Sequence, residues 1–462
     1  MKNYLILALL LVNGTKNINA QSPYGDWYAR IKTFQLDLVF HIQKEGKQTL
    51  LTWDSPNQKA FNVPGEIKLK KKNAIEVAVK NIGMTYTGTY FKDSLVGTFQ
   101  QGNFAEKLVF YNTPKSSKPK RPQEPKAPFL YEEEEVKFYN SKDSVRLTGT
   151  FTRPQNEGRF PAVILVSGSG PQDRNEEILG HKPFLVIADY LTKAGYAVLR
   201  YDDRGTYSSE GTFKGATTFD FANDAEAAFE YLSKHENVLR DQIVIIGHSE
   251  GGTIANILGA RIPNLLGIVS LAGTSIRGDS ILEIQNALIN RSNGMSEEHI
   301  ALFQEFNREL YRAVMESSTP NELSASIKPI VASWKKRLYK NKLITKKEKK
   351  MLASSILDRL EDPWLYSFIR YSPSEHIRKI GCNILVLIGE KDIQVTSKEN
   401  LENYKRLLPS NGKMHSFLEM KALNHFFQTC SACSLKEYGE LEETFSKEAL
   451  KEIQNFLDTL TK

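Results

Sequence analysis

The sequence predicts two domains: a small all-β domain, then a larger α/β domain with a mostly parallel, doubly wound sheet and an inserted helical cap. Three observations lead to this fold class. Apolar and polar residues alternate from Trp27 to Tyr111, whereas continuous Val/Ile/Leu runs separated by helical patterns begin after Tyr131. At 462 residues, the chain is also longer than one ordinary hydrophobic core serves.

Composition narrows the class of protein. With 40% hydrophobic and 25% charged residues, the chain matches a soluble globular enzyme or binding protein and not a coiled coil or a disordered chain. The net charge of +7 falls to +5 without Lys2 and Lys16, so we expect no nucleic-acid partner. Three cysteines, all in the last fifth of the chain, imply no disulfide framework.

Residues 1–20 resemble a signal peptide. Lys2 supplies a positive charge, Tyr4 to Val12 form an apolar stretch, and Ala20 precedes a plausible cleavage site at Gln21. We therefore expect export, to the periplasm or the exterior. The apolar stretch is about half as long as the roughly twenty residues that a membrane span needs, so no stable membrane insertion is expected.

The pattern of the first domain, residues 21–112, predicts seven or eight short strands, among them "FQLDLVFHI", "AIEVAVK" and "SLVGTFQ". Turn residues such as Pro64-Gly65 separate them at the spacing of an antiparallel barrel or sandwich. His41, within an apolar strand, is expected to be a packed histidine and not a ligand. A structural, a dimer-forming and a substrate-presenting role all remain open for this domain, so a homodimer is among the expected assemblies.

Residues 113–130 contain a Pro/Lys-rich stretch that is typical of a semi-rigid linker. The α/β domain, 131–462, opens with two runs that predict an antiparallel hairpin. The buried strands "PAVILVSG", "YAVLRYDD", "QIVIIGHS", "LLGIVSLAG" and "NILVLIGE" follow. Over 276–371 this alternation stops and only helical patterns occur, which indicates an inserted cap. Its basic run, 335–350, is interpreted as a solvated helix face.

The sequence "GHSEG" at 247–251 directly follows a buried strand and opens a helix of small residues. This is the G-x-S-x-G nucleophile elbow in its required context. A sharp strand-to-helix turn would expose Ser249, and Gly247 and Gly251 would let neighbouring backbone approach without a Cβ clash. The backbone N–H of Glu250, at the start of the helix, is expected to face the developing oxyanion.

A serine elbow predicts an acid after a later strand and a histidine near the C-terminus. Asp392 lies on the loop that follows the strand "NILVLIG", and His425 lies before the final helix. We expect Asp392 to orient the imidazole and His425 to be the general base. Glu390 is the alternative acid.

The second oxyanion donor is expected from the small-residue loop that follows the strand "PAVILV". Ser169 N–H is the preferred donor and Gly170 N–H the alternative. The sequence "DDRG" at 202–205 is interpreted as an ion-paired structural turn. This chemistry requires neither a metal nor a cofactor.

The "CSAC" sequence at Cys430 and Cys433 follows the histidine loop. A single C-x-x-C pair without a second cluster is weak support for a metal or redox site. A local disulfide and a pair of free thiols are both open.

Taken together, these motifs resemble the α/β-hydrolase superfamily, and more closely the exported two-domain bacterial serine carboxylesterases that carry an N-terminal β-rich domain. The resemblance is carried by "GDWYARI", "DLVFHI", "SGSGPQDRN", "RYDDRG", "GHSEGG", "IGEKDIQV" and "LNHFFQ". It implies hydrolysis of short acyl esters through an acyl-enzyme, with Ser249, Asp392 and His425 as the triad. Where such hydrolases often have His-Gly at the oxyanion loop, this chain has Ser167-Gly168.

The expected function is therefore hydrolysis of a small-molecule ester, within a lidded and largely apolar acyl pocket. An aminopeptidase, amidase or thioesterase activity on the same triad is the alternative, since fold alone does not define the leaving group. A more remote alternative is a non-catalytic carbohydrate- or lipid-binding protein.

Overall fold

The computed structural model describes residues 22–31, 34, 36–46, 48–58, 60–102, 104–114, 119–344 and 346–462. The expected signal peptide and the cleavage site at Gln21 lie outside these residues. The chain divides into two compact units, Met1–Lys118 and Pro119–Lys462. No helix among the described residues combines the length and the apolar character that crossing a bilayer would require.

The first unit is a closed antiparallel barrel of eight strands. They are β1 (Gly25–Ile31), β2 (Leu36–Glu45), β3 (Gln48–Ser55), β4 (Ala60–Leu69), β5 (Ala74–Val79), β6 (Met84–Tyr90), β7 (Ser94–Gln101) and β8 (Phe104–Tyr111). Strand β1 pairs with β2 and closes on β8 through Tyr28 and Tyr111. The small all-β domain predicted from the alternating pattern is therefore confirmed as a barrel.

Aromatic side chains fill the barrel interior. Phe40 stacks on Phe110 with ring centroids 4.1 Å apart, and the Tyr86 hydroxyl donates to the carbonyl of Leu95 at 2.8 Å. His41, next along β2 from Phe40, points the other way and places its ring nitrogens 2.7 and 3.1 Å from Asp26 and Asp54 carboxylates. The expectation of a packed histidine was wrong, because successive strand residues face opposite sides.

The second unit is built on an eight-stranded sheet with the order β16-β15-β14-β13-β11-β12-β10-β9. Its strands are β9 (Tyr131–Asn140), β10 (Val145–Pro154), β11 (Phe160–Val166), β12 (Ala197–Tyr201), β13 (Val238–His248), β14 (Gly267–Leu271), β15 (Asn383–Gly389) and β16 (His415–Met420). Strands β9 and β10 form the predicted antiparallel hairpin, and β11 to β16 run parallel. The predicted doubly wound sheet is confirmed.

Helices cover both faces of this sheet and account for the continuous apolar strands. The helices outside the cap are α1 (Pro183–Lys193), α2 (Thr218–Leu232), α3 (Glu250–Arg261), α9 (Ser374–Ile377), α10 (Ser397–Leu407), α11 (Leu435–Tyr438) and α12 (Lys447–Thr461). Apolar residues of α2, α3 and α10 form one buried core and those of α1 and α12 another. Strand residues alternate between the two cores, so both strand faces must be apolar.

The cap consists of α4 (Gly278–Ser292), α5 (Glu297–Glu316), α6 (Pro320–Lys340), α7 (Lys346–Leu360) and α8 (Pro363–Arg370). It has a core of its own, in which Phe306 packs against Trp334 with ring centroids 5.3 Å apart. Ile281 of α4 also belongs to the sheet core, and Trp364 and Phe368 of α8 pack against it, so the cap is joined to the sheet.

The second half of the Pro-rich stretch belongs to the second unit. Arg121 donates to the carbonyls of Gly180, Gly439 and Leu441 at 2.6–2.9 Å. Gln123 accepts from Thr444 N–H at 2.6 Å. This part of the chain is thus bound to the α/β unit, which differs from the expected spacer over 113–130.

Candidate active site

The site residues predicted from the sequence all follow parallel strands at the carboxyl edge of the sheet. We name three loops there: the oxyanion loop (167–182, after β11), the acid loop (390–396, after β15) and the base loop (421–434, after β16). Ser169, Asp392 and His425 lie on these loops in that order, and Ser249 directly follows β13. This edge is where ligands bind in open α/β sheets.

Ser249 occupies a strained turn between β13 and α3. Its backbone has φ 54° and ψ −114°, a region that side-chain-bearing residues rarely adopt. Its N–H donates to the carbonyl of Leu271 at 2.8 Å, and helix α3 begins at the next residue, Glu250. Neighbouring strands therefore hold the turn in place and present the serine above the sheet, as the elbow motif predicts.

The turn depends on close backbone contact at its glycines. A Cβ on Gly251 would lie 2.0 Å from the carbonyl oxygen of Val166, and one on Gly247 would lie 1.9 Å from that of Gly251. These atoms belong to the central strands and the elbow, and they cannot move without disrupting the sheet.

We expect Gly251→Ala to lower the free energy of unfolding by about 3 kcal/mol, because the added methyl overpacks a rigid backbone contact. Chemical denaturation monitored by circular dichroism measures this change. Gly381→Ala is the matched control: a Cβ there meets no atom within 4 Å, so we expect a change within about 0.5 kcal/mol. Equal effects of the two substitutions would contradict the close-contact argument.

His425 and Asp392 form a buried pair. The His425 Nδ1 lies 2.7 Å from Asp392 Oδ2, and both side chains are less than 5% exposed. The other carboxylate oxygen, Oδ1, accepts from the backbone N–H groups of Gln394 and Val395 at 2.7 and 2.8 Å. The alternative acid, Glu390, instead bonds Ala422 N–H at the surface.

Ser249 lies beside this pair but is not hydrogen bonded to it. Among the hydrogen bonds of the described residues, none joins the Ser249 hydroxyl to His425. The two residues are coupled through His248, whose Nε2 lies 2.9 Å from the carbonyl oxygen of His425. Catalytic hydrogen bonds are often long or unaligned in a substrate-free enzyme, so this arrangement is compatible with proton transfer between the two side chains.

The two predicted oxyanion donors, Glu250 and Ser169, belong to residues that line the same cavity as Ser249. Glu250 is the first residue of α3, where a backbone N–H has no acceptor within the helix. On the oxyanion loop, Gly168 N–H donates to Glu176 Oε1 at 2.7 Å and is therefore already engaged. Ser169 lines the same cavity as Ser249. Donation by Glu250 and Ser169 N–H remains a prediction.

A cavity of about 530 Å³ opens above Ser249, between the sheet edge and the cap. The apolar part of its wall comprises Ile281, Leu282, Trp364, Leu365, Phe368 and Val395; the polar part includes Thr253, Thr274, Gln285, Asn286, Asp358, Arg359, Asp362 and Gln394. Eleven of the seventeen lining residues are polar. The wall is therefore mixed in character and not largely apolar as expected, because helix α4 and the end of α7 contribute polar side chains to it.

The side chain of Glu250 has a structural role that the sequence analysis did not anticipate. Its carboxylate is buried and accepts from Thr218 Oγ1 at 2.5 Å and from Trp364 Nε1 at 2.8 Å. Burial raises the pKa of Glu250, and these two hydrogen bonds oppose that rise. The contact with Trp364 joins the nucleophile elbow directly to cap helix α8.

The turn at 202–205 is ion-paired, as expected. Asp202 receives two side-chain hydrogen bonds from Arg174, at 3.1 and 2.7 Å. Arg204 donates to Asp224 at 2.7 Å. Arg174 lies on the oxyanion loop, so this ionic contact helps to anchor that loop to β12.

The base loop contains the one disulfide among the described residues, between Cys430 and Cys433. The sequence left a disulfide and a pair of free thiols open for these cysteines, and the structure contains the disulfide. These two cysteines and Glu437 form the one cluster of three candidate metal ligands among the described residues, and the disulfide removes both thiolates from it. Cys382 is a buried free thiol, and burial raises its pKa to about 12.

Fold and site together define an α/β-hydrolase with an inserted helical cap and an N-terminal β barrel. Residues 143–425 match the family described as X-Pro dipeptidyl-peptidase (S15 family), which covers more than half of the chain. The chain belongs to that family.

Sequence similarity to an individual protein covers a smaller part of the chain than the family match does. Over 139 residues the chain is 32% identical to "Esterase EstD" of Thermotoga maritima, an alignment that covers 30% of this chain and 33% of the relative. The chain thus matches about one third of the length of that curated relative.

Among solved structures, the esterase PF2001 of Pyrococcus furiosus has a TM-score of 0.43 and 15% identity, covering 72% of this chain and 92% of that one. The α/β hydrolase GrgF from Penicillium sp. sh18 has a TM-score of 0.43 and 17% identity, covering 71% and 98%.

Proposed function

We propose that this protein is a serine hydrolase that cleaves carboxylic esters with short acyl chains through an acyl-enzyme. One observation carries the proposal: Ser249, on a strained elbow, opens into the cavity while the adjacent base loop holds His425 against the buried Asp392. This combination of nucleophile, imidazole and orienting carboxylate serves acyl transfer.

In the proposed first step, the Ser249 hydroxyl attacks the ester carbonyl while His425 Nε2 takes its proton. Asp392 holds His425 Nδ1–H and stabilises the imidazolium that forms. The backbone N–H groups of Glu250 and Ser169 stabilise the tetrahedral oxyanion. The imidazolium then returns the proton to the leaving alcohol, and the acyl group stays on the serine.

In the second step, His425 activates a water molecule that attacks the acyl-enzyme, which releases the acid and restores the serine. The cavity of about 530 Å³ lies within the usual range for small-molecule sites. The eleven polar residues among its seventeen lining residues support a short or polar acyl group over a long alkyl chain.

The proposal is tested with a fluorophosphonate probe and a panel of p-nitrophenyl esters from acetyl to decanoyl, with thioester and amide controls. We expect one probe molecule per chain, located on Ser249 by peptide mass spectrometry, and the highest kcat/KM for the shortest acyl groups. Labelling elsewhere, or no ester turnover by a folded protein, would overturn the proposal.

A specific observation supports a second candidate, cleavage of amides that follow a free amino terminus. Two carboxylates that are not buried, of Asp358 and Asp362, line the cavity beside the guanidinium of Arg359, whereas the Glu250 carboxylate is already bonded to Thr218 and Trp364. Such a wall favours an ammonium group, and the family's description names a dipeptidyl-peptidase. The same assay with aminoacyl and X-Pro p-nitroanilides distinguishes the two: faster turnover of these amides than of simple esters would favour the second candidate.

Export to the periplasm or the exterior is part of the same proposal, supported by the charge, apolar stretch and small residue of the first twenty positions. A small-molecule ester is the proposed partner.

A homodimer formed through the barrel is a further proposal, which sedimentation of the full-length chain tests.

A further inference from the structure

Glu176 and His248 form a second buried carboxylate–imidazole pair beside the proposed triad. His248 Nδ1 lies 2.9 Å from Glu176 Oε1, and His248 Nε2 lies 2.9 Å from the carbonyl oxygen of His425. Both side chains are less than 10% exposed. The rings of His248 and His425 are 4.9 Å apart between centroids. The catalytic steps proposed above use neither Glu176 nor the His248 ring.

The partners of His248 determine its protonation state. An ionised carboxylate and a backbone carbonyl can only accept hydrogen bonds, so both ring nitrogens of His248 must carry a proton. The ring is then a buried imidazolium, and Glu176 is its counter-ion. Burial is the largest influence and works against this charge, but Glu176, the carbonyl of His425 and Asp392 together outweigh it, so the pKa of His248 is raised.

The same carboxylate also holds the oxyanion loop. Glu176 Oε1 accepts Gly168 N–H at 2.7 Å, one residue before the proposed donor Ser169. Glu176 itself has a positive φ of 51°, a strained conformation that this packing maintains. One ion pair thus connects the oxyanion loop, the elbow and the base loop.

We infer that Glu176 and charged His248 are positioning residues, which together hold Ser169 N–H, Ser249 and His425 in the relative placement that acyl transfer needs. This inference rests on the proposed serine-hydrolase function. Neither residue is among those that line the cavity. The pair acts through Gly168 on one side and through the His425 backbone on the other.

The pair's contribution depends on pH with a defined sign. The ionisable groups that face His248 are Glu176, Asp392 and His425, one from each surrounding loop. Because the pKa of His248 is raised on folding, its stabilisation is complete below about 6.5, the ordinary value, and is lost as pH rises through the folded value. We therefore expect the pair to contribute an alkaline limb to the pH profile of kcat.

The test compares Glu176→Gln with Glu177→Gln, a substitution of the neighbouring, more exposed carboxylate that pairs with Lys182. We expect kcat of Glu176→Gln to fall about 10²-fold, because a misplacement near 1 Å costs this much, while KM stays within about threefold. The alkaline limb should move to lower pH. Glu177→Gln should match the wild type in all three measurements.

A double-mutant cycle separates coupling from general damage. His248→Asn should lower kcat by a similar factor, and the double variant should be no slower than the slower single variant, because both substitutions remove the same pair. Strictly multiplicative losses would contradict the inference, and so would a Glu176→Gln enzyme within twofold of the wild type. Loss of all activity in Ser249→Ala, with Glu176→Gln unaffected, would leave the proposed function intact and overturn this inference alone.

A measurement on the folded full-length chain covers the case in which Glu176→Gln does not fold. Histidine NMR with labelled Cε1 in the Ser249→Ala protein reports each ring's charge. We expect the titration midpoint of His248 to lie above the ordinary histidine value of about 6.5. A midpoint at or below that ordinary value would overturn the inference.

Discussion

Ser249→Ala is expected to lower kcat for a p-nitrophenyl acetate-type ester by roughly 10⁵- to 10⁶-fold, the loss typical of removing a triad nucleophile. The methyl group fits the elbow, because the strained backbone at φ 54° is held by the sheet and by the start of α3 and not by the hydroxyl. Binding should therefore survive, with KM within about threefold. Steady-state kinetics, with active-site titration of the wild type, measure both quantities.

Ser169→Ala provides the matched control for this substitution. Ser169 lines the same cavity, but its expected contribution is a backbone N–H, which alanine retains. We expect its kcat to stay within about tenfold of the wild type. Fluorophosphonate labelling should persist in Ser169→Ala and disappear in Ser249→Ala. If Ser249→Ala kept more than about a hundredth of the activity, another nucleophile would have to be sought.

Local sequence was sufficient for the elbow and for the loops that carry the acid and the base. The motif "GHSEG" requires a strand before it and a helix after it, and both requirements can be checked within twenty residues. Asp392 and His425 could be placed because each follows a parallel strand, and the carboxyl ends of parallel strands meet at one edge. Such inferences need strand order but no side-chain detail.

Contacts between distant segments could not be predicted from the sequence. Glu176 and His248 are 72 residues apart, and Arg121 bonds Leu441 across 320 residues. No local pattern distinguishes Glu176 from the adjacent, more exposed Glu177. Which carboxylate turns inward depends on how the oxyanion loop packs against the elbow.

The polar residues of the cavity wall also could not be predicted from the sequence. Amphipathic periodicity does not show which face of a cap helix covers a site.

Glu250 illustrates how the cap and the chemistry are joined. Its backbone N–H is a proposed oxyanion donor, while its side chain bonds Thr218 at the start of α2 and Trp364 in cap helix α8. Cap position and oxyanion geometry are thus linked through one residue. Trp364 packs against both the cap core and the sheet core, so a change in cap position would reach the elbow through this residue.

Asp392→Asn is expected to lower kcat by about 10⁴-fold with little change in KM, and the hydrogen bonds around this residue explain why. Asp392 Oδ1 accepts two backbone N–H groups, from Gln394 and Val395, so an asparagine must place its carbonyl oxygen there. Its amide NH₂ then faces His425 Nδ1, which lies 2.7 Å from Oδ2 in the native pair. The imidazole is forced to carry its proton on Nε2, where it cannot accept the serine proton.

Glu390→Gln, two residues earlier and at the surface, is the matched control for Asp392→Asn and should keep wild-type kcat. Nitrogen NMR of the His425 ring gives an independent readout, since the protonated nitrogen should change from Nδ1 to Nε2 in Asp392→Asn alone. A loss below about tenfold, or an unchanged tautomer, would mean that Asp392 does not orient the base. The buried pair would then serve the packing of the base loop instead of proton transfer.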